Sequence, residues 1–103
     1  MVSWEEINNI SKIIAEGYNP DKIILFGSYC NGNATMDSDI DLLIIKDSDL
    51  PRYKRSREVH KLFNPYLYPL DIIVYSAKEI EKWKNIKTSF IYEVLNKGIA
   101  LYE

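Results

Sequence analysis

A chain of 103 residues, 47% of them hydrophobic, can close one packed core and is too short for two. Its 13 basic and 15 acidic side chains leave a net charge of −2, which excludes a nucleic-acid coat protein dependent on positive excess; direct nucleic-acid binding is not expected. The lone cysteine, Cys30, excludes a disulfide framework, the N-terminus lacks a signal-peptide pattern, and no apolar run approaches the roughly 20 residues of a membrane span, so the reading is cytoplasmic with no membrane.

In chain order, Ser3 with Glu6 forms the pattern of a capping box. Trp4, Ile7, Ile10 and Ile14 follow at helical spacing, and Gly17 is expected to end that helix. Lys22 to Phe26 reads as a buried strand stopped by Gly27-Ser28, and residues 29–38 as a polar, turn-rich loop. Ile40 to Lys46 is a second strand. Pro51 suits the first turn of a helix running to about Phe63, where Asn64-Pro65 breaks it. Leu70 to Tyr75 is a third strand, Ser76 caps a short helix around Lys78 to Lys84, and Thr88 or Ser89 starts the last one. That last helix carries an apolar stripe of Phe90, Ile91, Val94 and Leu95. Gly98 ends it, and Ile99–Tyr102 forms an edge strand. Interleaved helices and strands predict an α+β (α/β) sandwich: a small mixed β-sheet with helices packed on one side.

The informative constellation is Gly27-Ser28, ten residues, then Asp39-Ile40-Asp41, then Asp71. Side chains two apart on a strand share a face, so Asp39 and Asp41 are held side by side, where repulsion destabilises both unless a cation intervenes. The apolar run Leu42–Ile45 buries the rest of that strand and leaves its acidic end at the rim. If the third strand is a neighbour, Asp71 joins the patch. An oxygen-only donor set suits Mg²⁺, which keeps waters and accepts substrate phosphates. Two such ions can stabilise attacking and leaving oxygens together. Gly27 allows close backbone approach to a phosphate, and Ser28 offers a hydroxyl to it. Each element alone has a plain structural reading, a turn or a solvated strand end; the joint pattern is what points to phosphate chemistry.

The run GSYCNGNATMDSDIDLLII followed by PLDIIVYS resembles the minimal nucleotidyltransferases of the DNA polymerase beta superfamily. The ending SFIYEVLNKGIALYE is similar to that of the short antitoxins that pair with HEPN-domain toxins. The resemblance implies a single nucleotidyltransferase domain over residues 1–103, with ATP as substrate and Mg²⁺, two ions, as cofactor. It implies that Asp39, Asp41 and Asp71 are the catalytic metal ligands and that Gly27 and Ser28 bind the β- and γ-phosphates. AMP would pass to a tyrosine of a partner HEPN toxin, silencing it. Many relatives carry arginine where this chain has Asn31, so weaker triphosphate affinity, or another cation in its place, is expected.

Arg52, Lys54, Arg55, Arg57 and Lys61 gather in one helix with a single acid, Glu58. The plain reading is a solvated face; the sharper one is contact with triphosphate, RNA or an acidic partner. His60 reads as a surface or packing residue and Cys30 as a bystander, while Tyr66, Tyr68 and Tyr102 could serve a partner surface. Two other functions stay open: an antitoxin that neutralises by binding alone, and a small-molecule or RNA-end nucleotidyltransferase acting through a homodimer.

Overall fold

The computed structural model describes residues 1–63 and 68–103. Helix α1 spans Trp4–Tyr18 and opens with the expected capping box: Glu6 N–H donates to Ser3 Oγ and Ser3 N–H to Glu6 Oε1, both at 3.1 Å. Gly17 does not end it. The helix runs on to Asn19, which adopts the left-handed conformation (φ 55°) and donates its N–H to the Ala15 carbonyl. Asparagine tolerates that conformation, so no glycine is required there. Gly17 instead gives room to Leu62, whose Cδ2 would lie 2.7 Å from an added Cβ.

Among the described residues four strands form one mixed sheet: β1 (Lys22–Phe26), β2 (Ile40–Ile45), β3 (Leu70–Tyr75) and β4 (Ile99–Tyr102), in the order β3-β2-β1-β4. The strand β1 is antiparallel to both β2 and β4, whereas β2 and β3 are parallel. A parallel pair needs a crossover, and helix α3 (Arg52–His60) provides it. Pro51 is the residue before α3 rather than part of its first turn, with φ −62° and ψ 150°. The expected break at Asn64-Pro65 lies outside the described residues, as does Tyr66. The anticipated loop 29–38 also needs correction, because Ser28–Asn31 coils into a one-turn helix, α2, closed by Gly32 at φ 76°. Helices α4 (Ala77–Trp83) and α5 (Phe90–Lys97) complete the order, capped by Ser76 and Ser89.

Helices cover both sides of the sheet, not one. On the first face Ile23, Leu25, Leu42, Ile44, Ile72 and Val74 pack with Ile7, Ile10 and Ile14 of α1 and Val59 of α3. On the second, Ile24, Leu43, Ile45 and Tyr75 pack with Ile80 of α4 and Ile91 and Val94 of α5. The reason is legible in β2: Leu42, Leu43 and Ile44 are consecutive, all fully buried, and point alternately to opposite faces. Burial of such side chains contributes about 2 kcal/mol each, which a one-sided helix layer would forfeit for half of them. Among the described residues no helix is long and apolar enough to cross a membrane.

Candidate active site

Strand register gathers the acids. Phe26 lies opposite Asp41 in the antiparallel pair β1–β2, and Asp41 lies opposite Asp71 in the parallel pair β2–β3. The three residues therefore form one rung across the sheet. Asp41 is in phase with Leu43 and Ile45, and Asp71 with Ile73 and Tyr75, so both carboxylates project on the face carrying α4 and α5. Asp39 immediately precedes β2, two residues before Asp41. Of the three acids expected to converge, strand register brings Asp41 and Asp71 side by side, while Asp39 stands just before β2, near enough for its charge to act on Asp41.

Crowding there changes the chemistry of Asp41. Its burial pushes the carboxyl upward, the Asp71 charge and a hydrogen bond shared with Asp71 push it further, and the Asp39 charge adds to this. Together they raise it from 3.8 to about 6. A bridging proton relieves the Asp41–Asp71 repulsion at low pH. At neutral pH a divalent cation could relieve it, and three carboxylates are a hard-oxygen donor set suited to Mg²⁺. Among the described residues no group of three or more His, Cys, Asp or Glu side chains is arranged to hold a metal ion. The fit is therefore in donor chemistry and convergence, not in preset ligand geometry.

Gly27 adjoins this patch and has to be glycine. Its φ is +76°, and a Cβ built on it would lie 2.0 Å from Asp41 Oδ2. The turn that follows is tight, with Cys30 N–H and Asn31 N–H both donating to the Gly27 carbonyl at 3.0 and 3.1 Å. Ser28, the first residue of α2, is thereby held next to the glycine. Two anchors fix α2 from opposite ends of the chain. The buried Tyr29 accepts a hydrogen bond at its hydroxyl from Val2 N–H at 3.0 Å, and Cys30 Sγ donates to the Lys97 carbonyl at 3.1 Å. Cys30 is therefore a brace rather than a bystander. Beyond it, Thr35 N–H donates to Ser38 Oγ at 2.8 Å, ordering the approach to Asp39.

A cleft of about 180 Å³ opens on Gly27, lined by Phe26, Cys30, Asn31 and, from α5, Phe90, Glu93 and Lys97. Phe26 and Phe90 meet edge-on with centroids 5.3 Å apart. Of the apolar stripe on α5, Ile91 and Val94 are buried, whereas Phe90 is 39% exposed at this cleft. The roles of Glu93 and Lys97 as lining residues had no local signal; they are the polar positions of an amphipathic helix until the sheet places them.

The basic helix divides in two. Arg55 is buried and donates to Glu79 Oε1 at 2.5 Å and to the Val74 carbonyl at 3.2 Å; Arg52 donates to Glu79 Oε2 at 2.9 Å and sits 4.1 Å over the Tyr75 ring. A solvated-face reading is thus wrong for Arg55, which ties α3 to α4, while Lys54, Arg57 and Lys61 remain exposed. Burial works against the Glu79 charge, but the Ser76 backbone bond, Arg52, Arg55 and the Ser76 hydroxyl outweigh it and bring the carboxyl down to about 2. His60 is half-buried in α3, Tyr68 is half-buried, and Tyr102 is 39% exposed on the edge strand.

Residues 7–100 match the family described as "Nucleotidyltransferase domain". Two Methanocaldococcus jannaschii proteins, both named "Putative protein adenylyltransferase" (MJ0141 and MJ0604), are 39% identical to this chain over 81 and 83 residues. Each alignment covers 79% of this chain, and 78% and 77% of the relatives. In fold the chain is similar to one in a crystal structure of a toxin–antitoxin with AMP-PNP, with a TM-score of 0.62 at 22% identity, covering 92% of this chain and 72% of that one. Sequence and architecture agree over nearly the whole length: this chain belongs to the nucleotidyltransferase domain family and is a nucleotidyltransferase.

Proposed function

We propose that the chain transfers AMP from ATP to a hydroxyl, specifically a tyrosine, of a partner HEPN-domain toxin and thereby acts as its antitoxin. The observation that carries this reading is the register of Asp41 with Asp71 beside a glycine with no room for a side chain. The names of the two archaeal relatives support protein as the acceptor, and the fold shared with a toxin–antitoxin chain is in keeping with a toxin partner.

In this reading Asp39, Asp41 and Asp71 would hold Mg²⁺, which when bound supplies charge neutralisation at the phosphates and stabilises the attacking and leaving oxygens. Gly27 and Ser28 hold the β- and γ-phosphates. The acceptor oxygen attacks the α-phosphorus, the bond to the β-phosphate oxygen breaks, and pyrophosphate leaves. Asp71, exposed at the rim, takes the hydroxyl proton. Most of the rate comes from holding these groups in line and from fixed charge.

The test is transfer of label from the α-phosphate of ATP to a purified HEPN-domain partner with Mg²⁺. Tyrosine labelling by the wild type, lost in Asp39→Asn and Asp41→Asn, is expected; unchanged labelling in those variants removes the assigned site. One observation keeps a second reading open. Asn31 brings no charge to the cleft beside Gly27, which favours an antitoxin that neutralises by binding alone. Toxin neutralisation by the doubly substituted Asp39→Asn, Asp41→Asn protein would select it. Transfer to a small molecule or an RNA end by the chain alone would displace both.

A further inference from the structure

We infer that Lys97 is a nucleotide-binding residue that contributes the positive charge for the far phosphates of the triphosphate. The inference rests on the reading that Gly27 and Ser28 hold that triphosphate. Mg²⁺ at the carboxylates would offset charge where the phosphates meet them, and a protein cation would add to this where the outer phosphates extend into the cleft. Among the described residues lining the cleft that opens on Gly27, Lys97 is the one cation; Asn31 is uncharged and Glu93 is negative.

The backbone of Lys97 is fixed and its ammonium is not. Its carbonyl accepts the hydrogen bond from Cys30 Sγ at 3.1 Å, which ties it to the turn that begins at Gly27. Gly98, the next residue, donates its N–H to the Val94 carbonyl at 2.8 Å and is pressed against β1, where an added Cβ would lie 2.6 Å from Ile24 Cγ2. The Lys97 side chain, by contrast, is 72% exposed, and its one ion pair among the described residues is a loose 3.5 Å contact with Glu93, itself 65% exposed. Exposed pairs of this kind contribute little, so the ammonium can leave Glu93 for a more highly charged partner at small cost. A lysine is a compact point charge on a flexible stem, which suits a phosphate tail whose exact position varies through the reaction. Glu93 then acts as the resting counter-ion that keeps the arm near the cleft when no nucleotide is bound.

Calorimetric titration of the full chain with the β,γ-imido analogue of ATP and with AMP, both in MgCl2, tests this. Lys97→Ala and Lys97→Gln should weaken analogue binding roughly tenfold and shift AMP binding by less than about twofold. Their melting temperatures should match the wild type. Lys97→Arg should retain affinity, and Asn31→Arg added to Lys97→Ala should restore it by placing a guanidinium in the same cleft. Unchanged analogue affinity in Lys97→Ala overturns the inference, as does an equal loss for analogue and AMP, which would mark a merely structural role. The underlying reading fails by a different result: a wild-type chain that does not bind the triphosphate at all, which overturns both.

Discussion

Asp41 and Asp71 face each other across the parallel pair β2–β3, close enough to share a hydrogen bond, while Gly27 leaves the space that the Asp41 carboxylate fills. A fold that places two acids in register at the end of its core is less stable than one without them, and that cost can be measured. The Asp41 carboxyl is raised from 3.8 to about 6, so the folded protein holds a proton there that the unfolded chain releases. The associated stability is complete below about pH 4 and is lost as pH rises through about 6. Asp41→Asn should therefore melt higher than wild type at pH 7.5, by about 1 kcal/mol once partial exposure is allowed for. At pH 4 the two should converge. Paired thermal melts check this, and a lower melting temperature for the variant at pH 7.5 would refute it.

Added Mg²⁺ should act on the same pair. If Asp39, Asp41 and Asp71 hold the cation, millimolar Mg²⁺ raises the melting temperature of the wild type at pH 7.5, and EDTA reverses the gain. Asp41→Asn should show little response, because it removes one of the crowded charges that the cation neutralises. An equal response in both proteins would place the cation elsewhere.

The two left-handed glycines that flank α2 should behave differently. Gly27→Ala sets a methyl group 2.0 Å from Asp41 Oδ2 at φ +76°, so either the acid or the turn has to move. Nucleotidyl transfer should fall by roughly two orders of magnitude, since displacing a reacting group by about 1 Å is that costly. Gly32 shares the same φ of +76°, but a Cβ there meets nothing within 4 Å. Gly32→Ala should cost only the left-handed strain, about 1–2 kcal/mol of stability, with transfer by the folded fraction retained. Steady-state rates alongside urea titrations separate the two effects.

How much of this was legible in the sequence depends on how local the cause is. The capping box at Ser3–Glu6 and the cap at Ser76 are set by residues three apart, and each helix starts directly after its expected cap; the structure adds the reciprocal Glu79 bond at Ser76. The apolar runs gave the strands. Asp39-x-Asp41 carried its own geometry, but the meeting of Asp41 with Asp71 depends on β2 and β3 being neighbours in one register, which spacing alone does not fix. The same limit explains the errors. Gly17 looked like a helix end because glycine commonly is one, yet its role is to admit Leu62 from 45 residues away. Helices on both faces follow from three consecutive buried residues in β2, a pattern compatible with one covered face only if half of them stay wet. Arg55 is indistinguishable in sequence from Lys54 and Arg57, and only the packing of α3 on β3 and α4 separates it from them.

Glu79 is where that packing is most exposed to test. It accepts hydrogen bonds from the Ser76 backbone, from Arg52 and from the buried Arg55, and is held down to about 2 from the usual 4.5. Its stabilising contribution is therefore present above about pH 4.5 and is lost as pH falls toward 2. Glu79→Gln should lower stability at pH 7 by about 2 kcal/mol, because it leaves the Arg55 charge buried without its counter-ion. Arg52→Ala removes a half-exposed partner and should cost less than about 1 kcal/mol. The difference between wild type and Glu79→Gln should shrink steadily between pH 4.5 and pH 2, the window set by the shift itself. Urea titrations across that range decide the point: a gap that stays constant with pH would mean that Glu79 stabilises the fold by shape rather than by charge.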